Sequence, residues 1–346
     1  MPEPVASSQS RYGSDPCPAC GSTNVRAWMQ VHGDYRRIGM PNANDTSNLD
    51  WCDACQFGFL TPRPTHEQTV ANHDIAGYYG NRSDNPQRPK TWLDDMRTRI
   101  AWRFDKGRDI YHDASTVAGM LGNNAGDAFK GMRILDLGCG NGGLLAKLKA
   151  AGAETVLGVE PSPGGRKEAA AKGITAYDGT AENLPNEVWR NSFDLVIMQH
   201  VLEHCKDLQC TLANVKSLLK PGGAYLCDVP CNTALSLQYA GPTWYWLDAP
   251  RHINFFTKQS LLELFKRAQL NVERVRMYGY TRQIAHTWVW AEQQAMIHQQ
   301  QCNPQKINPR PNGSEPKSSL AWKLLFKTMF ASDELKYDSL RVLARV

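Results

Sequence analysis

Residues 135–142, Leu-Asp-Leu-Gly-Cys-Gly-Asn-Gly, constrain this chain more than any other stretch. The apolar run 132–137 reads as a buried strand, glycines follow at once, and an amphipathic helix begins near Leu144. Glycines at the carboxyl end of a strand let backbone and ligand approach where any Cβ would collide. Glu160 closes the next apolar run, 156–159, and is placed to grip ribose hydroxyls. The pattern predicts a site for an adenosine-containing cofactor.

Two cofactors compete for that site. Gly138, Gly140 and Gly143 satisfy G-x-G-x-x-G, with an acid following at the distance a dinucleotide fingerprint requires, so NAD is one reading. Three features favour S-adenosylmethionine (SAM). Asp136 precedes the glycines, where it could hold the ammonium of the amino-acid part. Ala181-Glu182-Asn183-Leu184-Pro185 follows a third apolar strand, 174–177, and puts polar groups near an adenine edge. Residues 193–204, Phe-Asp-Leu-Val-Ile-Met-Gln-His-Val-Leu-Glu-His, then lead on to Leu219-Lys220-Pro221-Gly222-Gly223.

This ordered series, over roughly residues 131–265, resembles the class I SAM-dependent methyltransferases. The resemblance implies an α/β fold, a seven-stranded, mostly parallel, doubly wound Rossmann-like sheet with SAM across the carboxyl ends of its strands. Residues 271–278 and 338–346 would supply the last two strands. It implies cofactor contacts from Asp136, Gly138, Cys139, Gly140, Glu160, Pro161, Ala181, Glu182, Gln199 and His200. A dehydrogenase is the second reading of this fold.

Cys17-Pro18-Ala19-Cys20 and Cys52-Asp53-Ala54-Cys55 present four thiolates in two C-x-x-C turns, the donor set of a structural zinc site. Four closed sulfur ligands leave no open position for catalysis. The separation exceeds common zinc-ribbon spacing and leaves room for a strand pair and a loop. A redox role is the alternative, and no thioredoxin-like unit surrounds either pair.

A chain of 346 residues accommodates a catalytic domain and a satellite. The expected division is a zinc-binding module over 1–75, a connector and helical lid over 76–130, and a methyltransferase domain over 131–346 with an insertion at about 284–330. No run is apolar enough to span a bilayer. The polar start of the chain has no signal pattern, and the remaining cysteines read as reduced thiols, so the expected location is cytoplasmic. A net charge of +5 is mild. Only Arg26, Arg36 and Arg37 are basic between the cysteine pairs, so nucleic acid is not the expected partner.

Residues 244–257, Trp-Tyr-Trp-Leu-Asp-Ala-Pro-Arg-His-Ile-Asn-Phe-Phe-Thr, carry the candidate acceptor side and precede a helix over 258–268 with Thr257 as N-cap. They resemble a region of a bacterial class I subgroup that joins a cysteine-rich N-terminal module to this core and serves glycan or secondary-metabolite pathways. Trp244 and Trp246 could stack on rings, while Asp248, Arg251 and His252 could orient hydroxyls. A packed loop with Asp248 and Arg251 simply paired is the equal alternative. Tyr78 and Tyr79 could close over the cofactor or anchor a loop. In the connector, Trp92, Met96, Ile100 and Phe104 recur at helical spacing and read as a packing stripe, with Arg97, Arg99 and Asp105 interspersed. The insertion could form a lid, a homodimer contact or a weak membrane-surface patch, with dimer contact or plain core as the safest readings.

Methyl transfer is an in-line displacement served mainly by positioning. A neutral hydroxyl also benefits from a base near pH 7, which points to histidine. The candidates are His252 and His200, ahead of His204. The expected activity is SAM-dependent O-methylation of a small polar acceptor, favouring a sugar hydroxyl of a nucleotide-sugar or glycan. The alternatives are an RNA methyltransferase gripping RNA through its zinc module, a sugar C-methyltransferase, and a non-catalytic SAM-fold partner protein.

Overall fold

The computed structural model describes residues 11–37, 42–65, 67–69, 89–107, 113–122, 127–303 and 317–346. Tyr78, Tyr79 and residues 304–316 lie outside the described residues. The chain divides into two compact units, each assembled from three separate stretches.

One unit comprises 109–229, 261–276 and 340–346. In chain order its strands are β4 (Arg133–Leu137), β5 (Thr155–Val159), β6 (Thr175–Tyr177), β7 (Phe193–Gln199), β8 (Leu219–Pro230), β10 (Asn271–Tyr278) and β11 (Ser339–Arg345). They form one sheet in the order β10-β11-β8-β7-β4-β5-β6. The pairings β6 with β5, β5 with β4, β4 with β7 and β7 with β8 are all parallel. This is the expected mostly parallel methyltransferase sheet, and both anticipated final strands are present.

The apolar runs form strands because both of their faces are covered. Ile134, Leu135 and Leu137 of β4 are all fully buried, as are Leu195, Val196 and Ile197 of β7. One face packs on Leu144, Leu145 and Leu148 from the helix Gly143–Ala150. The order reverses at β4, which pairs β5 on one side and β7 on the other, and such reversal points are where open α/β sheets bind ligands.

The other unit comprises 1–108, 230–260 and 277–339. Its sheet has the order β1 (Val25–His32), β2 (Thr46–Cys52), β3 (Phe57–Thr61), β9 (Asn254–Phe255), antiparallel throughout. This division differs from the boundaries expected at 75 and 130. Gly58 pairs with Phe255 and Phe59 with Asn254, so the candidate acceptor segment completes the sheet of the cysteine module. Trp244, Leu247, Ile253 and Phe255 share a core with Val31, Leu49 and Leu60.

The connector helix Trp92–Phe104 forms as predicted, with a capping box between Thr91 and Asp94. Half of its expected packing stripe holds: Ile100 and Phe104 pack against a buried cluster, and the other half is a correction. Trp92 is 71% exposed and Met96 is also exposed, whereas Asp94, Arg97 and Ala101 are buried. Arg97 donates to Asp94 and to the carbonyl of Ile284, which satisfies polar groups on the inward face and lets the helix bury a charged pair. Ala101 shares a core with Tyr280, Ile284, Leu324, Leu325 and Tyr337. Within the expected insertion, Ile284 and the helix Lys317–Thr328 therefore supply core of this unit. Among the described residues no helix is long and apolar enough to cross a membrane.

Candidate functional site

The cofactor cradle is built in the sheet unit from the carboxyl ends of β4, β5 and β7. Asp136 and Gln199 lie on or at the ends of β4 and β7, and both are buried. Gly138 (φ 78°), Gly140 (φ 53°) and Gly142 (φ 68°) turn the chain from β4 into the following helix in left-handed conformations. A Cβ at Gly138 would strike Val201, whereas one at Gly140 would meet nothing within 4 Å. The left-handed turn at Gly140, open to glycine without strain, therefore borders free space that lets a ligand approach the backbone closely.

Glu160, 1% exposed, accepts from the Gly140 N–H at 2.9 Å and the Ser162 N–H at 2.8 Å. Burial raises its pKa, and these two amides oppose the rise. Each carboxylate oxygen keeps a second lone pair for a ribose hydroxyl. Asp136 is held more severely. Its carboxyl is pushed well above the usual carboxylate range by burial, then by Glu160 and Asp228. Its Oδ1 is buried without a hydrogen-bond partner, and so is the Oε1 of Gln199. Two orphaned acceptors on the two strands that flank the reversal point fit the ammonium of SAM. Nicotinamide dinucleotides carry no such cation there.

The remaining cofactor candidates divide. Cys139 is buried with its thiol pKa raised by burial, and its side chain blocks any Cβ at Gly158, so it packs the cradle from below. Pro161 is exposed, and its carbonyl accepts from Arg166 at 2.7 Å. Ala181 is buried. Glu182 accepts from the Asp207 N–H at 2.6 Å, which ties it to the start of the helix Leu208–Leu218.

His200 follows β7 directly with φ 55°, and its Nδ1 lies 3.0 Å from Oε1 of the fully buried Glu203. A left-handed non-glycine residue is costly and is retained where the surroundings demand it. His204 ends the single turn Leu202–His204.

In the other unit, Arg251 is fully buried between Asp34 and Asp248, and Arg36 pairs with Asp248 as well. Asp248 sits well below the usual carboxylate range: Arg251 and Arg36 outweigh its burial. The Asp248–Arg251 pairing thus closes a buried network. His252 bonds through Nδ1 to the Trp246 carbonyl at 2.7 Å, and burial lowers its pKa to about 4. Trp244 is buried with Nε1 donating to Ser236 at 2.9 Å, which makes it a core residue. Trp246 is half-buried and packs edge-on to Trp288, with the Arg282 guanidinium 5.1 Å from both rings. Asn232, 8% exposed, has neither side-chain amide atom partnered.

The four cysteines converge as their spacing predicts. Their sulfurs all lie within 4.8 Å of one another, with Cys17–Cys55 and Cys20–Cys52 both at 3.6 Å. A tetrahedron with Zn–S near 2.3 Å has edges of about 3.8 Å. The tight turn after Cys17, closed by Gly21 N–H to the Cys17 carbonyl, and the β2–β3 hairpin present the two pairs.

The sequence model of a methyltransferase-domain family matches residues 111–275. A ubiquinone biosynthesis O-methyltransferase of Dinoroseobacter shibae is 37% identical over 154 residues, 41% of this chain and 61% of that enzyme. One from Cereibacter sphaeroides is 34% identical over 191 residues, 52% of this chain and 70% of the relative. The chain belongs to the class I SAM-dependent methyltransferases. A crystal structure of an S-adenosylmethionine-dependent methyltransferase from Mesorhizobium loti is similar at a TM-score of 0.44 and 20% identity, over 67% of this chain and 98% of that one.

Asp136, the glycine turn and Glu160 stand in local motifs of the sequence. Asp228, Arg341 and Asn232 were missed. Asp228 and Arg341 are 113 residues apart in sequence, and no local pattern links them. For Asn232 the available signal was its place just past the carboxyl end of β8.

Proposed function

We propose that this chain transfers the methyl group of SAM to an oxygen of a small acceptor. The observation that carries the cofactor half is the pair of buried, unpartnered acceptors Asp136 Oδ1 and Gln199 Oε1, with Glu160 beside the open face of Gly140. SAM bound there supplies an electrophilic methyl on a sulfonium. Oxygen as the atom methylated draws its support from the O-methyltransferase names of the relatives. His200 is the base of choice. With Nδ1–H given to Glu203, the ring's proton-accepting nitrogen is Nε2. His252, neutral down to about pH 4, instead holds the Trp246 loop.

The acceptor is a ring-bearing hydroxyl compound in this proposal, a sugar hydroxyl of a nucleotide-sugar or glycan first. Support comes from the aromatic pair Trp246 and Trp288 and from the amide of Asn232. Trp244, committed to the core, gives none. An acceptor from quinone biosynthesis, the process in the relatives' names, is the second reading. Cys17, Cys20, Cys52 and Cys55 would hold a structural zinc ion, with all four positions closed. Incubation with methyl-labelled SAM and separate pools of nucleotide-sugars and glycans, quinone precursors, RNA and protein tests the proposal. Label in the sugar pool, mapped to oxygen, is expected; label confined to RNA would overturn it.

A further inference from the structure

Gln199 poses a question that its own strand does not answer: which way its amide points. The two ends of a glutamine side chain have opposite chemistry, one donating and the other accepting. Here the choice is imposed from behind. The Gln199 Nε2 donates to Asp228 Oδ2 at 3.1 Å. Asp228 lies opposite Gln199 on the neighbouring parallel strand β8 and is fully buried. Its carboxylate is clasped by the equally buried Arg341 of β11, with Nε at 2.8 Å from Oδ1 and Nη2 at 2.8 Å from Oδ2. A carboxylate paired in this way only accepts, so the amide must turn its nitrogen toward Asp228 and its oxygen away. That oxygen is the one left without a partner, on a side chain 7% exposed.

We propose that the buried Asp228–Arg341 pair is a positioning device that locks the Gln199 carbonyl toward the ligand, where it and Asp136 receive the ammonium of the cofactor's amino-acid part. The inference rests on the cofactor reading given above and adds to it a relay across three strands, β11, β8 and β7. Arg341 holds Asp228 by charge from one side, and Gln199 presents its oriented dipole from the other. Asp136 alone would meet the ammonium with one carboxylate. With Gln199 fixed, the cation finds two acceptors already aligned and neither has to reorganise.

The test compares two ligands, S-adenosylhomocysteine, which carries the ammonium, and 5′-methylthioadenosine, which lacks the whole amino-acid part. Dissociation constants are measured by calorimetry for the full chain and for Gln199→Leu and Asp228→Asn. Gln199→Leu should lose about tenfold or more for S-adenosylhomocysteine, the range of a charge-assisted hydrogen bond, and little for 5′-methylthioadenosine. Asp228→Asn, which can donate as well as accept, should move the same ratio in the same direction. If that variant does not fold, Arg341→Lys, which keeps the charge but gives up the two-point clasp on Asp228, takes its place and should move the ratio in the same direction. Equal losses for both ligands, or an unchanged ratio, would overturn the positioning role while leaving the cofactor assignment intact. Failure of the unaltered chain to bind S-adenosylhomocysteine would overturn both.

Discussion

Asp136 is a destabilised residue in the ligand-free protein, because its carboxyl is buried beside Glu160 and Asp228 with one oxygen unpartnered. Asp136→Asn should therefore raise the melting temperature without ligand while weakening S-adenosylhomocysteine at least tenfold, about 1.4 kcal/mol. Calorimetric melting and titration of the same variant read both effects. The same carboxyl sets a pH dependence. Burial, Glu160 and Asp228 raise its pKa, and an ammonium placed beside it favours the ionised form, so binding releases a proton. Affinity for S-adenosylhomocysteine should fall as pH drops through that raised pKa, and calorimetric titrations at a series of pH values follow it. Asp136 and Glu160 stood out in the sequence because one lies within a local apolar run just before the glycines and the other closes the next run. The direction of the Gln199 amide was not, since it depends on a partner on another strand and a guanidinium on a third.

At the scale of elements, β4, β5 and β7 were readable because largely apolar stretches of five to seven residues, ended or followed by Gly, Glu or Gln, have few other uses. β9 was not, because two residues carry no period. Its pairing with β3 nevertheless decides where the segment 244–257 belongs. Trp244 and Trp246 stand two residues apart and were read alike, yet one points into the core and the other into an aromatic cluster. Trp244→Ala should cost about 3–5 kcal/mol in denaturant unfolding, as for other buried aromatics. Trp246→Ala should cost markedly less and instead raise the KM for the acceptor. The cysteine ribbon has its own prediction. The purified chain should carry close to one zinc per molecule by elemental analysis, and Cys52→Ser should lower that content and the unfolding free energy, the latter by about 2 kcal/mol or more.

For the molecule as a whole, the buried histidine gives a signature in acid. His252 titrates near pH 6.5 when unfolded and at about 4 when folded, depressed by burial and by Arg36 and Arg251 against the pull of Asp248. A lowered histidine pKa means that the unfolded chain binds the proton first. Stability should thus decline as pH falls from about 6.5 to about 4, by about 3 kcal/mol in total, and level off below. His252→Gln should flatten that segment of a stability-against-pH curve measured with urea. The network around it cannot produce the same slope, because Asp248 stays ionised until far lower pH.

The position of β11 also reaches beyond thermodynamics. It follows every other described strand in the chain, yet it sits inside the sheet, between β10 and β8. On a ribosome the other six strands emerge first and must wait with an open seam, the unpaired edge of β8, while Arg341 has yet to reach Asp228. A nascent chain halted before residue 339 thus carries a cradle whose glycine turn and Glu160 are in place but whose Gln199 lacks its fixed orientation. Competence to hold the cofactor tightly would arrive only once Arg341 has emerged, and all at once, with the closing of one interior strand.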